Sequence, residues 1–550
     1  MNLEEYIAKK VVGMLGLLRY NDGNEEERLG FINDRKRIIR TKIKEYNVWY
    51  EGDDDELLHF YTHENMIGFN YEPYYNRNKI NYFWSISSTE TDVKRTHSGH
   101  PRNVVDTLVN IIGESECSSP GETTNDILQR IIEDNDMMSM ISQEQIPYTL
   151  VEGWGAFKIN WNFELSDTPV LMYYKANDVN FIYKSNRLVG IIFKDYYTDI
   201  KGKQYLIVET RHLGKEDGAV HMYIEKELFE VSGNEEWIKK VPFKSVPELA
   251  HIKTGFKFSN YNRLLAEPSI FFKDKKDRFG DMPGKSIYCG KLSTFDDIDQ
   301  CWSQLANTVR KSTPVEYIDV NMLERDKKTG MPIQPKAYDR KYTKFIGGKN
   351  SDGEANGEPV HVTQPKLEMD QFVQVAGELL RNSISGILSP ATLGLDVAKR
   401  DNADAQREKE KVTIFTRNAI IKKEIRIIKS ILEQCMHAYE FMRTGKLTVR
   451  DYDITVKFGE FADDSYDNKL AVLGAAYEKG IISPEMLVSR LYSGEELSDA
   501  DRQKEIDYIK ENSREPFAEG FAPDGNPLGG AVPPVQDGGE FDEDEDSEDI

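Results

Sequence analysis

Between Ala403 and Arg443 the chain runs for 41 residues without a proline or a glycine. Nothing in such a run stops an α-helix. At about 1.5 Å of rise per residue it makes a rod about 60 Å long, twice the width of a small domain. A rod of that length is seldom stable alone, so the chain is expected to use it as a brace within a larger assembly.

Upstream of the rod the hydrophobic period changes once. Thr123–Glu152 reads as helix, with Ile127, Ile131 and Ile132 at helical intervals and Thr124 placed to cap it. From Gly153 the period falls to two: Ala156-Phe157-Lys158-Ile159-Asn160-Trp161 alternates. Pro169–Tyr174, Arg187–Tyr197, Gln204–Arg211 and Val220–Val231 continue the pattern. Ser166-Asp167, Ser185-Asn186, Lys201-Gly202 and Asp217-Gly218 supply turns, which together predict an antiparallel meander.

Past Pro283 the order is helix, short strands, helix, loop, long helix. Thr294–Ser312 reads as a helix with Thr294 as N-cap and Asp297 three residues on. Asp296, Asp297 and Asp299 stand at its positive end and Arg310 and Lys311 at its negative end. Its apolar stripe is Ile298, Trp302, Leu305 and Val309. A second helix, Glu368–Leu388, carries Phe372, Val375 and Leu379 on one side. Between the two, Val315–Val320, Tyr342–Ile346 and Val360–Thr363 are candidate strands. Pro390 and Gly394 break helicity ahead of the rod, and Asp453–Phe461 reads as a strand after it. Beyond Arg514 proline, glycine and acid dominate, and disorder is expected.

The 550 residues carry 71 Lys+Arg against 94 Asp+Glu, a net −23. Nine of the acids fall between Asp537 and Asp549; removing them leaves −14. A globally basic nucleic-acid binder is therefore excluded, while local basic faces are not. Lys399 and Arg400 end the broken loop before the rod, a poor place for two purely structural cations. On the rod itself Arg407, Lys409, Lys411, Arg417, Lys422, Lys423, Arg426 and Lys429 are expected on a solvated face beside Glu408, Glu410 and Glu424. No stretch approaches the roughly 18–20 apolar residues of a membrane span. The longest apolar run, Val11–Leu18, follows Glu4 and Glu5 and is expected as a short amphipathic helix, not a signal peptide.

Sites for catalysis are missing from the pattern. Gly284-Lys285-Ser286 looks like the end of a phosphate loop, but that loop needs a glycine where Phe279 stands. His97 and His100 flank Ser98-Gly99 and are expected in a solvated turn. Asp53, Asp54 and Asp55 lack the glycine and distal glutamate of a calcium loop. Cys117, Cys289, Cys301 and Cys435 make no C-x-x-C pair, so buried reduced thiols are expected and neither a zinc site nor a disulfide framework. The expectation is a protein that is not an enzyme and holds no cofactor or metal.

In order and local phrasing, most of the chain resembles a tailed-bacteriophage portal protein of the long-tailed, Gram-positive-host type. Glu152-Gly153-Trp154-Gly155-Ala156-Phe157-Lys158-Ile159 is similar to the family's glycine-containing strand after a helix. Lys285-Ser286-Ile287-Tyr288 with the helix Asp297–Arg310 resembles its first stem helix. Ile387-Leu388-Ser389-Pro390-Ala391-Thr392-Leu393-Gly394 resembles the opening of its tunnel loop, and Asn402–Thr416 the long helix that follows. Gly480-Ile481-Ile482-Ser483-Pro484-Glu485 with Asp499–Glu511 is similar to its crown.

The resemblance implies an α+β portal fold. Residues 1–284 would form a wing, β-rich from about 153, and 285–313 the first stem helix. The clip would be a small α/β unit at 314–366, followed by the second stem helix at 367–388 and the tunnel loop at 389–402. A long wing helix and return strand (403–461), a helical crown (462–514) and a disordered acidic tail (515–550) would complete it. It implies a ring of about twelve subunits at one capsid vertex, made in the host cytoplasm and carried in the virion. Its partners would be double-stranded DNA in the channel, the terminase large subunit, major capsid and scaffolding proteins, and head–tail adaptors, with no membrane. Lys399 and Arg400 are then expected to face the channel. Ile298, Trp302, Leu305, Val309, Phe372, Val375 and Leu379 are expected to pack stem helices between neighbouring subunits. The rival reading is another virion structural protein, a head–tail adaptor or minor capsid protein.

Overall fold

Gly153 ends a helix and starts a strand because its backbone sits at φ 100°, where a side chain is strained. Across from it Gly284 passes so close that an added Cβ would lie 1.9 Å from the Gly153 carbonyl oxygen. The glycine of the Gly284-Lys285-Ser286 run is thus needed for a crossing of two backbones. Ser286 Oγ is also engaged, accepting a hydrogen bond from the Tyr288 amide at 3.0 Å.

The computed structural model describes residues 6–7, 25–64, 82–86, 93–163, 166–184, 187–232, 237–274, 283–312, 315–319, 325–333, 341–345, 360–363, 369–395, 403–459, 470, 473–477, 481–491 and 499–512. Two compact units divide the chain, Met1–Phe461 and Ala462–Ile550. The first begins with helices α1 (Glu25–Glu51), α2 (Asp54–His59) and α3 (His100–Ile112), then strand β1 (Ser115–Ser118) and helices α4 (Glu122–Asp134), α5 (Met137–Met140) and α6 (Ile146–Glu152). Nine strands follow: β2 (Gly155–Asn160), β3 (Val170–Lys175), β4 (Val179–Lys184), β5 (Arg187–Thr198), β6 (Gln204–Glu216), β7 (Ala219–Ser232), β8 (Trp237–Val241), β9 (Gly255–Phe258) and β10 (Ala266–Ser269). Helix α7 (Leu292–Lys311) leads to β11 (Val315–Asp319), β12 (Lys341–Phe345) and β13 (Val360–Thr363). Helix α8 (Met369–Ile384), helix α9 (Ala403–Thr444) and strand β14 (Thr455–Phe458) complete the unit. In the second unit α10 (Pro484–Leu491) and α11 (Asp499–Asn512) are joined by Lys510 Nζ, 2.6 Å from Glu485. The class is mixed α+β.

The expected single meander is two sheets. Strands β4-β5-β6-β7-β8 run in sequence order, all antiparallel, with β9 beside β7. Strands β2 and β3 belong instead to a three-stranded sheet, β10-β2-β3. Strand β2 alternates as its sequence indicates, yet both of its faces are buried. Phe157 and Ile159 join the helical core around Leu150 and Ile428, while Ala156 joins the core shared with Ile191 and Phe193 of the larger sheet. Lys158 occupies a polar position in the pattern and is also buried, 2.7 Å from Asp195 and 3.7 Å from Glu209. Arg211 Nε reaches Glu209 at 2.7 Å, and its Nη1 donates to the Ile159 carbonyl at 2.9 Å. Burial opposes the Glu209 charge, but Arg211, Lys158 and Lys226 outweigh it and hold the carboxyl well below its usual range.

Several further expectations are corrected. The helix expected over 123–152 breaks at Asn135–Asp136, where Asp136 takes φ 44°. The Asn135 side chain accepts from the Leu171 amide at 2.7 Å and donates to the Pro169 carbonyl at 2.9 Å, so the break serves the docking of β3. Helix α7 starts before Thr294, which is buried inside it and caps nothing. Glu424 and Arg417 do not lie on a solvated face. The middle of α9 is enclosed, with Ile420, Ile427, Ile428, Ile431 and Leu432 in the core, and Arg417 Nε donates to the Ile111 carbonyl at 2.8 Å. Cys289 is exposed while Cys117, Cys301 and Cys435 are buried.

Candidate assembly interface

Helices α7 and α8 form an antiparallel hairpin. Lys291 Nζ donates to the Asn382 carbonyl at 2.7 Å near one end, and Cys301 Sγ lies 3.9 Å from the Phe372 carbonyl oxygen ten residues on. Every buried residue of α7 falls between Thr294 and Ser303, and α8 buries only Ala376, Ser383 and Ile384. The hairpin therefore leaves the core with its outer half uncovered. The segment joining α7 to α8 contains the sheet β12-β11-β13, in which β11 runs parallel to β12 and antiparallel to β13.

The root is polar and buried. Asp296, Asp299 and Ser303 fall on one face of α7, at the three- and four-residue spacing that aligns side chains along a helix. Asp296 accepts from the Phe83 amide at 2.8 Å and the Trp84 amide at 3.3 Å. Asp299 accepts from Trp84 Nε1 at 3.0 Å and the Ser98 amide at 2.9 Å, and pairs with His97 Nδ1 at 2.7 Å. Ser303 Oγ accepts from the Thr96 amide at 3.0 Å. His100 Nε2 is 2.7 Å from Ser383 Oγ, tying α3 to α8. Burial pushes the Asp296 carboxyl up to about 7 against these amide bonds, and pushes His100 down to about 4. His97 and His100, expected in a solvated turn, are thus parts of the anchor. The spacing of Asp296, Asp299 and Ser303 was the available signal; a dipole role for the acids hid it.

The seven residues expected between subunits separate by depth. Ile298 is wholly buried in the chain's own core and is not available to a neighbour; Leu379 packs against the same core. Leu305 and Phe372 are half-buried. Trp302, Val309 and Val375 keep 40%, 45% and 53% of their surface exposed. One stripe thus runs from the core onto open surface as the helix leaves its support. Met369 and Val373 on α8 are exposed as well, at 41% and 57%, and were not expected. The broken loop after α8 is fixed at its start, where the Ser389 amide donates to Thr413 Oγ1 of α9 at 2.8 Å and Thr392 Oγ1 is 2.7 Å from the same oxygen. Lys399 and Arg400 lie outside the described residues, as does the acidic tail.

Among the described residues no group of three or more His, Cys, Asp or Glu side chains is placed to hold a metal ion, and no helix is long and apolar enough to cross a membrane. No family model matches the chain, and no curated protein matches it.

Proposed function

We propose that this chain is the subunit of a phage portal, a ring at one capsid vertex through which double-stranded DNA is packaged and later released. The observation that carries the reading is the α7–α8 hairpin, rooted by buried carboxylates and bare of its own core along its outer half. In a ring, each hairpin packs against the hairpins of its neighbours, and Trp302, Val309, Val373 and Val375 find there the cover they lack in one chain. The small sheet between the helices forms the clip, where the terminase docks during packaging and head–tail adaptors afterwards. The sheets and long helix form the wing, facing capsid and scaffolding proteins.

An acidic channel suits this role. Few Lys or Arg contacts to phosphate mean little counterion release and weak non-specific grip, so a polyanion slides. Lys399 and Arg400 supply a narrow belt of positive charge that steadies the duplex without arresting it. The ring is a conduit, and the terminase performs the work of translocation.

The interface test is a pair of variants, Trp302→Ala and Val375→Asp, followed by sedimentation velocity and circular dichroism. Losing a central aromatic contact at an interface costs about 2 kcal/mol or more, which is about a thirtyfold weaker association. Weakened rings with unchanged helix content are expected. Rings as resistant to dilution as the wild type would remove the hairpin from the interface.

A further inference from the structure

The edge of the six-stranded sheet is interrupted. Strands β8 and β9 both pair with the same side of β7, β8 with Leu228–Ser232 and β9 with Met222–Glu225. Between them lies a groove of about 760 Å3, bounded on the far side by the turns after β8. Half-buried Val241 and Ile252, over buried Leu228 and Phe243, give it an apolar floor, and the four lysines Lys226, Lys240, Lys244 and Lys253 stand around it with Glu225 and Glu227.

Two of these cations are neutralised locally. Lys226 Nζ is 3.2 Å from Glu209, and Lys240 Nζ is 2.5 Å from Glu227. Lys244 and Lys253 are exposed at the groove and make no ion pair among the described residues. Against the lining's two glutamates, Glu225 and Glu227, the four lysines leave a net +2 on a chain whose net charge is −23. The groove is of the size that holds a few side chains (typically about 300–1,000 Å3), and an apolar floor between cations selects for alternating character in what fills it.

We propose that this groove is a docking site for an extended acidic segment of a partner protein, with apolar side chains on the floor and carboxylates at Lys244 and Lys253. Charge complementarity favours an acidic partner, and the apolar lining favours a polypeptide over a nucleic acid. Phe243, the lining's aromatic ring, is buried at 5% exposure and offers no face on which a base could stack. The proposal is independent of the ring reading, since the groove belongs to one chain.

The test is fluorescence anisotropy on the full chain, with a labelled ten-residue peptide alternating glutamate and leucine. A peptide with lysine for glutamate and a single-stranded oligonucleotide of equal charge serve as comparisons. Saturable binding of the acidic peptide alone is expected, weakening with salt. The exposed double substitution Lys244→Glu with Lys253→Glu should weaken it about tenfold or more while leaving circular dichroism unchanged. Absence of binding, or equal binding by the double variant, would overturn the site. Equal or tighter binding of the oligonucleotide would overturn the assignment to a peptide.

Discussion

Glu424 lies wholly buried in the middle of the longest helix, hydrogen-bonded to Gln145 Nε2 at 3.0 Å, and burial pushes its carboxyl up to about 7. Glu152 is buried likewise and Glu267 half-buried; Asn47 and Ser430 donate to them, and burial pushes both carboxyls up to about 7. With Asp296 they make four acids, three of them buried and one half-buried, that the folded chain holds protonated more readily than the unfolded chain does. Folding then takes up protons between the unfolded carboxylate value and about 7. Their contribution to stability is greatest below about 4.5, falls as pH rises to about 7, and is level beyond. His100 acts oppositely: lowered to about 4, it favours folding as pH rises from about 4 to about 6.5. Glu209, held low by its cations, adds a loss only in acid. Burial lowers His437 in the same direction, and the four acids outnumber these two histidines, so the urea midpoint should fall between pH 5.5 and 7.5. Glu424→Gln should remove part of that fall, about 1–3 kcal/mol, and an unchanged slope would contradict it. None of this was legible in the sequence. A glutamate between lysines on a polar-looking helix reads as solvated until the fold encloses the helix on several sides.

Helices and strands were legible where periodicity alone decides them. The strands β5 and β7, the small strands β11, β12 and β13, and the helices α7, α8 and α9 lie where the hydrophobic pattern puts them, within a few residues. What the pattern could not give was which layer each element joins. Strand β2 has the period of a half-exposed strand but is sandwiched, because its partner on the second face comes from residues 179–198. Boundaries were missed for a related reason: Asn135 leaves the helix to satisfy β3, and the acids of α7 serve loops more than 190 residues away. This last point is testable on the helix. Asp299→Ala leaves the Trp84 indole, the Ser98 amide and His97 without their acceptor, and should cost about 3 kcal/mol. Asp297→Ala, exposed on the same helix, should cost less than about 0.5 kcal/mol. Equal losses in urea unfolding would mean that the buried carboxylate is no anchor.

At the scale of the whole molecule the sequence order of helix, small strands, helix, loop and long helix was readable without any contact information. It is this order, more than any single motif, that the portal reading uses. The depth of the seven residues expected between subunits was not readable, since one helical stripe can pass from core to surface without a change in residue type. Ile298 and Trp302 differ by one turn of α7 and by burial of the first against 40% exposure of the second. The central claim is that exposed hairpins meet between copies of the chain and close a ring. Mass photometry of the purified protein over a range of concentrations, with negative-stain images of the same sample, tests it most directly. Closed particles of about twelve subunits with a central hole are the expected result. A chain that stays monomeric at high concentration, with scaffolding protein present, would contradict the account.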